Sequence, residues 1–181
     1  MIDTAKNQRS NLGWVRPLAW GAAGLLVLAP LVAMNVVPDS GVHWTGGDFL
    51  FAAIMFGTLG LLVELAVRAS SDWSYRLGAM IAVGTGFALL WGNLAVGYIG
   101  DGSSALNMVF LAIPPAALLA SVLVQFRAAS MAWIMGATAA ANAITGAIGY
   151  PLDPHTGVIT IIFTLLWLGA ALLFRRSARR S

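Results

Sequence analysis

Six long apolar runs separated by short polar stretches make up most of this chain. They cover about residues 17–37, 49–67, 77–99, 106–126, 129–148 and 157–174. Each is close to the roughly 20 residues that an α-helix needs to cross a hydrocarbon layer. The pattern predicts an all-α integral membrane bundle of six transmembrane helices. Residues 1–16 then form an N-terminal tail, 17–174 the membrane domain and 175–181 a basic C-terminal tail. The first run follows a basic stretch, as the apolar core of a secretory signal would. It is longer than such a core and five more runs follow it, so it is read as a retained helix, bent near Pro30. Pro114-Pro115 is expected to interrupt the fourth run, since proline removes a helical donor.

Composition strengthens this assignment. Hydrophobic residues are 59% of the chain and charged ones 9%, against about 45–50% and 25% in soluble domains. So few charges cannot cover the surface of a soluble protein, and lipid must be the main solvent. The chain has no cysteine, which excludes disulfides, iron–sulfur clusters and a cysteine nucleophile.

Charge then orients the spans. Six crossings place all ten basic residues on one side: Lys6, Arg9, Arg16, Arg68, Arg76, Arg127, Arg175, Arg176, Arg179 and Arg180. His43, His155, Asp39, Asp48, Asp101 and Asp153 fall on the other. Basic residues accumulate in cytoplasmic loops, so both termini are expected in the cytoplasm. Five crossings would strand one set of arginines outside. The pI near 10.0 therefore reports topology, and no nucleic-acid partner is expected.

Two runs echo each other. Asn93-Leu-Ala-Val-Gly97-Tyr-Ile-Gly100 and Asn142-Ala-Ile-Thr-Gly146-Ala-Ile-Gly149 both read N-x-x-x-G-x-I-G, 49 residues apart. Each follows a run closed by arginine, Arg68 or Arg127. The echo suggests a parallel duplication of a helical hairpin, spans two–three and four–five. Asn and Gly four residues apart share a helix face, where small residues allow close approach and an amide can bond across the contact. Tight packing is one reading of this face; a polar path lined by Asn93 and Asn142 is the other.

Glu64 is the one ionisable residue placed within the hydrocarbon, which by default marks a functional site. Arg68 stands four residues on, in the favourable acid-before-base order. A Glu64–Arg68 ion pair at the interface thus competes with a proton or ion relay. On the outer side His43, His155, Asp48 and Asp101 are candidate metal ligands, although the histidines stand 112 residues apart without motif spacing. Trp14, Trp20, Trp44, Trp73 and Trp133 read as interfacial anchors; Trp91 and Trp167 lie deeper. No phosphate loop, nucleophile elbow or paired catalytic carboxylate occurs, so no catalytic residue and no cofactor are predicted.

The segments HWTGGDFLFA (His43–Ala52), VELAVR (Val63–Arg68), SYR (Ser74–Arg76) and WGNLAVGYIG (Trp91–Gly100), with LWLGAALLFRR (Leu166–Arg176), carry a resemblance. The chain resembles a family of small uncharacterised bacterial multi-pass inner-membrane proteins. Members more often continue the I-G turn with Ser, acids and Asn-Pro, where this chain has DGSSALN (Asp101–Asn107). The resemblance implies the bacterial inner membrane and no activity. The expected role is a non-catalytic accessory, assembly or interaction module. Its partners would be the lipid bilayer and a second copy or partner membrane protein. A small transporter or channel lined by Asn93, Asn142 and Glu64 is the alternative, and outer-face metal or cofactor handling the second.

Overall fold

A computed structural model describes residues 15–37, 41–100 and 103–180. All regular structure among them is helical: α1 (Val15–Val36), α2 (Gly46–Ala69), α3 (Trp73–Val96), α4 (Ala105–Leu123), α5 (Ala128–Gly149) and α6 (His155–Ala178). The last five are long and apolar enough to cross a membrane. In the first, the apolar stretch assigned by the same standard is the shorter Ala23–Val36. Lys6, Arg9, Trp14, Asp39 and Asp101 lie outside the described residues.

The chain divides into two compact units, residues 1–61 and 62–181. Within the first, α2 begins with a reciprocal cap. Thr45 donates its N–H and hydroxyl to Asp48 Oδ2 at 2.7 and 2.8 Å, and Thr45 Oγ1 lies 3.4 Å from the Asp48 N–H. Asp48 thereby satisfies donors that a helix N-terminus leaves free. Further along α2, Gly60 is covered by the Trp20 ring, so closely that a Cβ there would fall 2.7 Å from it.

The second unit is a four-helix bundle closed as a ring: α3 packs on α4 and α6, and α5 packs on α4 and α6. Hydrophobicity does not favour helix contact over lipid contact, so the buried faces are small or interlocking. Ala79, Ala82, Ala117, Ala139 and Ala170 let the helices approach around Met131, Met135, Trp167 and Phe174. Tyr75 meets Phe174 edge-on at 5.1 Å and donates to the Phe126 carbonyl at 2.8 Å. This end of the bundle also holds Arg76, Arg127 and the C-terminal arginines of α6. There Asp72 caps α3 by accepting from the Ser74 N–H at 3.3 Å, and its Oδ1 lies 3.8 Å from Arg180 Nη1.

Four expectations need correction. The proline pair does not break the fourth span, because α4 runs continuously from Ala105 through Pro114 and Pro115 to Leu123. It stops short of residue 126 instead, where Gln125 and Phe126 take left-handed backbone angles of φ 54° and 56°. The third span ends at Val96 rather than Ile99, because Gly97 leaves the helix at φ 66°. The sixth extends past Phe174 to Ala178, which keeps Arg175 and Arg176 helical.

Candidate functional site

At the end of the bundle opposite the arginines, the turn after α3 is held almost wholly by side chains. Asn107, in the first turn of α4, accepts from the Tyr98 and Ile99 N–H groups with Oδ1, at 2.9 and 3.1 Å. Its Nδ2 donates to the Ile99 carbonyl at 3.0 Å. The Thr156 hydroxyl, from α6, donates to the Tyr98 carbonyl at 2.7 Å. Asp153, in the α5–α6 loop, accepts from the Gly100 N–H at 3.1 Å. Five backbone groups over three residues thus find partners on three side chains. That is how a non-helical segment can remain buried without orphaned polar groups. The turn can form only because Gly97 and Gly100 adopt φ near +65°, which glycine accepts without a Cβ penalty.

Packing reinforces the clamp. Tyr98 folds back along α3, donates its hydroxyl to the Ala88 carbonyl at 3.0 Å and meets Phe110 edge-on at 5.8 Å. Gly92 makes room for that hydroxyl, and Gly149 for the Ile99 side chain.

Asn93 and Asn142 bond to different neighbours. Asn93 Nδ2 donates to the Asn107 carbonyl at 3.0 Å, tying α3 to the start of α4. Asn142 Nδ2 donates to the Thr160 carbonyl at 3.2 Å and to Thr164 Oγ1 at 2.9 Å, tying α5 to α6. Each asparagine therefore locks its helix to the one that follows. The motif glycines diverge further: Gly97 terminates α3, whereas Gly146 stays inside α5 with its Cα against the Thr160 side chain. The two copies meet where Ile99 packs on Gly149.

Glu64 Oε1 stands 2.7 Å from Arg68 Nη2 and 2.8 Å from Nε. Among the outer candidates, Asp48 is engaged by Thr45. His155 Nδ1 lies 3.1 Å from Asp153 Oδ1, with the histidine side chain 95% exposed. The His155 and Gly100 N–H groups, then the His155 ring, hold the Asp153 carboxyl below the usual range. Among the described residues no three His, Asp or Glu side chains gather as metal ligands would. Of the tryptophans, Trp73 and Trp133 are exposed, while Trp167 is buried at the centre of the bundle between Gly86 and the core alanines.

Asn107 and Thr156 are the functional side chains that inspection of the chain passes over. Asn107 sits three residues after Ser104, the α4 N-cap, and that position, facing a preceding Gly-x-x-Gly turn, is the one signal for it. Comparisons with protein-family models, with curated proteins and with solved structures give no match.

Proposed function

We propose that the chain is a bacterial inner-membrane protein crossing the bilayer six times, with both termini cytoplasmic. In this reading α1, at 22 residues, spans with the other five helices. The one-sided arginines support the orientation. Its role is that of a non-catalytic accessory or assembly module that packs against a partner membrane protein or a second copy of itself.

The observation that carries this reading is the destination of the buried amides. Asn93, Asn107 and Asn142 all spend their donors on backbone carbonyls or a threonine of neighbouring segments. Polar side chains used in this way specify helix arrangement. On α2, Gly57 has nothing within 4 Å of a Cβ position, and Ala53 beside it is exposed, which suits close approach by another helix. Mild solubilisation followed by native mass measurement is expected to give a dimer or a stoichiometric complex. Monomer alone at every protein concentration overturns the reading.

One observation favours the alternative of a small transporter or channel. Asn142 Oδ1, Thr160 Oγ1 and Trp167 Nε1 are buried without hydrogen-bond partners, and such groups are costly unless something polar reaches them. A solute or ion flux into proteoliposomes that Asn142→Leu abolishes would establish it.

A further inference from the structure

The last turn of α6 carries Arg175 and Arg176, the chain turns just beyond it at Arg179 and Arg180, and the four line an open cavity of about 480 Å³ with Leu172 as its apolar wall. Arg175 shares a side of the helix with Leu172 and Leu168, and the arginines of the following turn reach the same cavity. The same side, followed back along α6, is the exposed apolar stripe of Leu168, Leu165 and Ile161. The opposite side, with Trp167, Ala170, Phe174 and Ser177, is buried in the bundle. A straight track thus leads from acyl-chain surface into a cluster of guanidinium groups. At 24 residues the helix is about 36 Å long, which exceeds a hydrocarbon core of about 30 Å. Its last turn therefore lies at headgroup level when α6 spans.

Topology alone asks only for positive charge near the ends of spans. It does not ask for two arginines of the last helical turn and two of the turn beyond to converge on one cavity that continues an apolar stripe. Among the described residues, Arg180 alone of the four has an acidic partner, Asp72 at 3.8 Å. The cluster consequently keeps most of its positive charge, and guanidinium forks match phosphate oxygens two at a time.

The geometry points to a binding site for an anionic phospholipid, with its phosphate among Arg175, Arg176 and Arg179 and an acyl chain along Leu172, Leu168 and Leu165. This rests on α6 crossing the bilayer and not on the accessory role, so its failure leaves the mass measurement above intact.

The test uses the full chain in detergent, with native mass spectrometry counting bound dioleoylphosphatidylglycerol against dioleoylphosphatidylcholine. The wild-type protein should retain the anionic lipid at concentrations where the zwitterionic one is lost. Arg175→Gln with Arg176→Gln should weaken retention about tenfold or more, each basic residue near a membrane surface contributing to anionic-lipid attraction. Arg127→Gln, at the same end but at the N-cap of α5, should change it less than about twofold, since the loss lies outside the cluster. Arg175→Lys with Arg176→Lys keeps the charge and the span-end bias but loses the forks, and should weaken retention about threefold; it serves if the Gln variant cannot be recovered. Equal retention of the two lipids, or wild-type retention by either double variant, overturns the proposal. Displacement of the lipid by excess inorganic phosphate also overturns it, by reassigning the cavity to a free anion.

Discussion

Replacing Asn107 by alanine is expected to destabilise the four-helix bundle by roughly 3–5 kcal/mol, more than any other single amide substitution. The substitution orphans the Tyr98 N–H, the Ile99 N–H and the Ile99 carbonyl together. Tyr98 is 7% exposed and Ile99 1%, so solvent does not replace the lost partners without opening the turn. An unsatisfied buried group costs about 1–3 kcal/mol, and partial relaxation brings three such groups into the stated range. Asn142→Ala provides the contrast. Its Nδ2 donates to the Thr160 carbonyl, which is already inside α6, and to a threonine hydroxyl. Truncation there leaves no backbone group stranded and also removes the unpartnered Oδ1. Interhelical bonds of this kind are worth about 0.6 kcal/mol and at most about 1.7. Denaturation of the full chain in mixed micelles checks the ranking, and hydrogen exchange locates it. In Asn107→Ala the Tyr98 and Ile99 amides should lose protection first. Comparable losses for both variants would show that the turn is not held as described.

The origin of that ranking also shows how much the chain discloses before it is folded. Apolar runs reveal the helices, because length and hydropathy are local properties. Their ends depend on distant groups. α3 stops at Val96 because Gly97 turns left-handed and Asn107, well ahead in the chain, captures the Tyr98 and Ile99 N–H groups that follow, and α4 stops where Gln125 and Phe126 turn left-handed. The Glu64–Arg68 contact is visible from i,i+4 spacing alone. The small-residue faces that hold Asn93 and Asn142 are visible from helical periodicity, but the acceptors of those amides are not. Identical motifs even end differently, since Gly97 meets a polar clamp whereas Gly146 meets the Thr160 side chain of α6. What sequence hides here is the choice of partner, which is set by how tightly the loops draw the helices together.

Gly146 provides the second large effect, from sterics rather than hydrogen bonding. A Cβ at this position would overlap Oγ1, Cγ2 and Cβ of Thr160 at once. A flexible neighbour could swing aside, but threonine is β-branched and stiff at χ1, and Thr160 is 8% exposed within the α5–α6 contact. The overlap includes the Cβ itself, so no rotamer relieves it and α6 must move away from α5. Gly146→Ala is therefore expected to cost about 2–3 kcal/mol, the upper part of the range for overpacked cores, despite the gain in helix propensity. Gly136 on the same helix has nothing within 4 Å of its Cβ position. There the identical substitution should stabilise by about 0.5–1 kcal/mol. Opposite signs for one chemical change on one helix isolate the contact from propensity. Thr160→Ala removes the hydroxyl and methyl but leaves the Cβ, and it also removes an unpartnered oxygen. Added to Gly146→Ala it should recover part of the lost stability, a non-additivity expected of residues in contact. Strict additivity of the two substitutions, or a Gly146→Ala variant as stable as Gly136→Ala, would place the closest approach of α5 and α6 elsewhere.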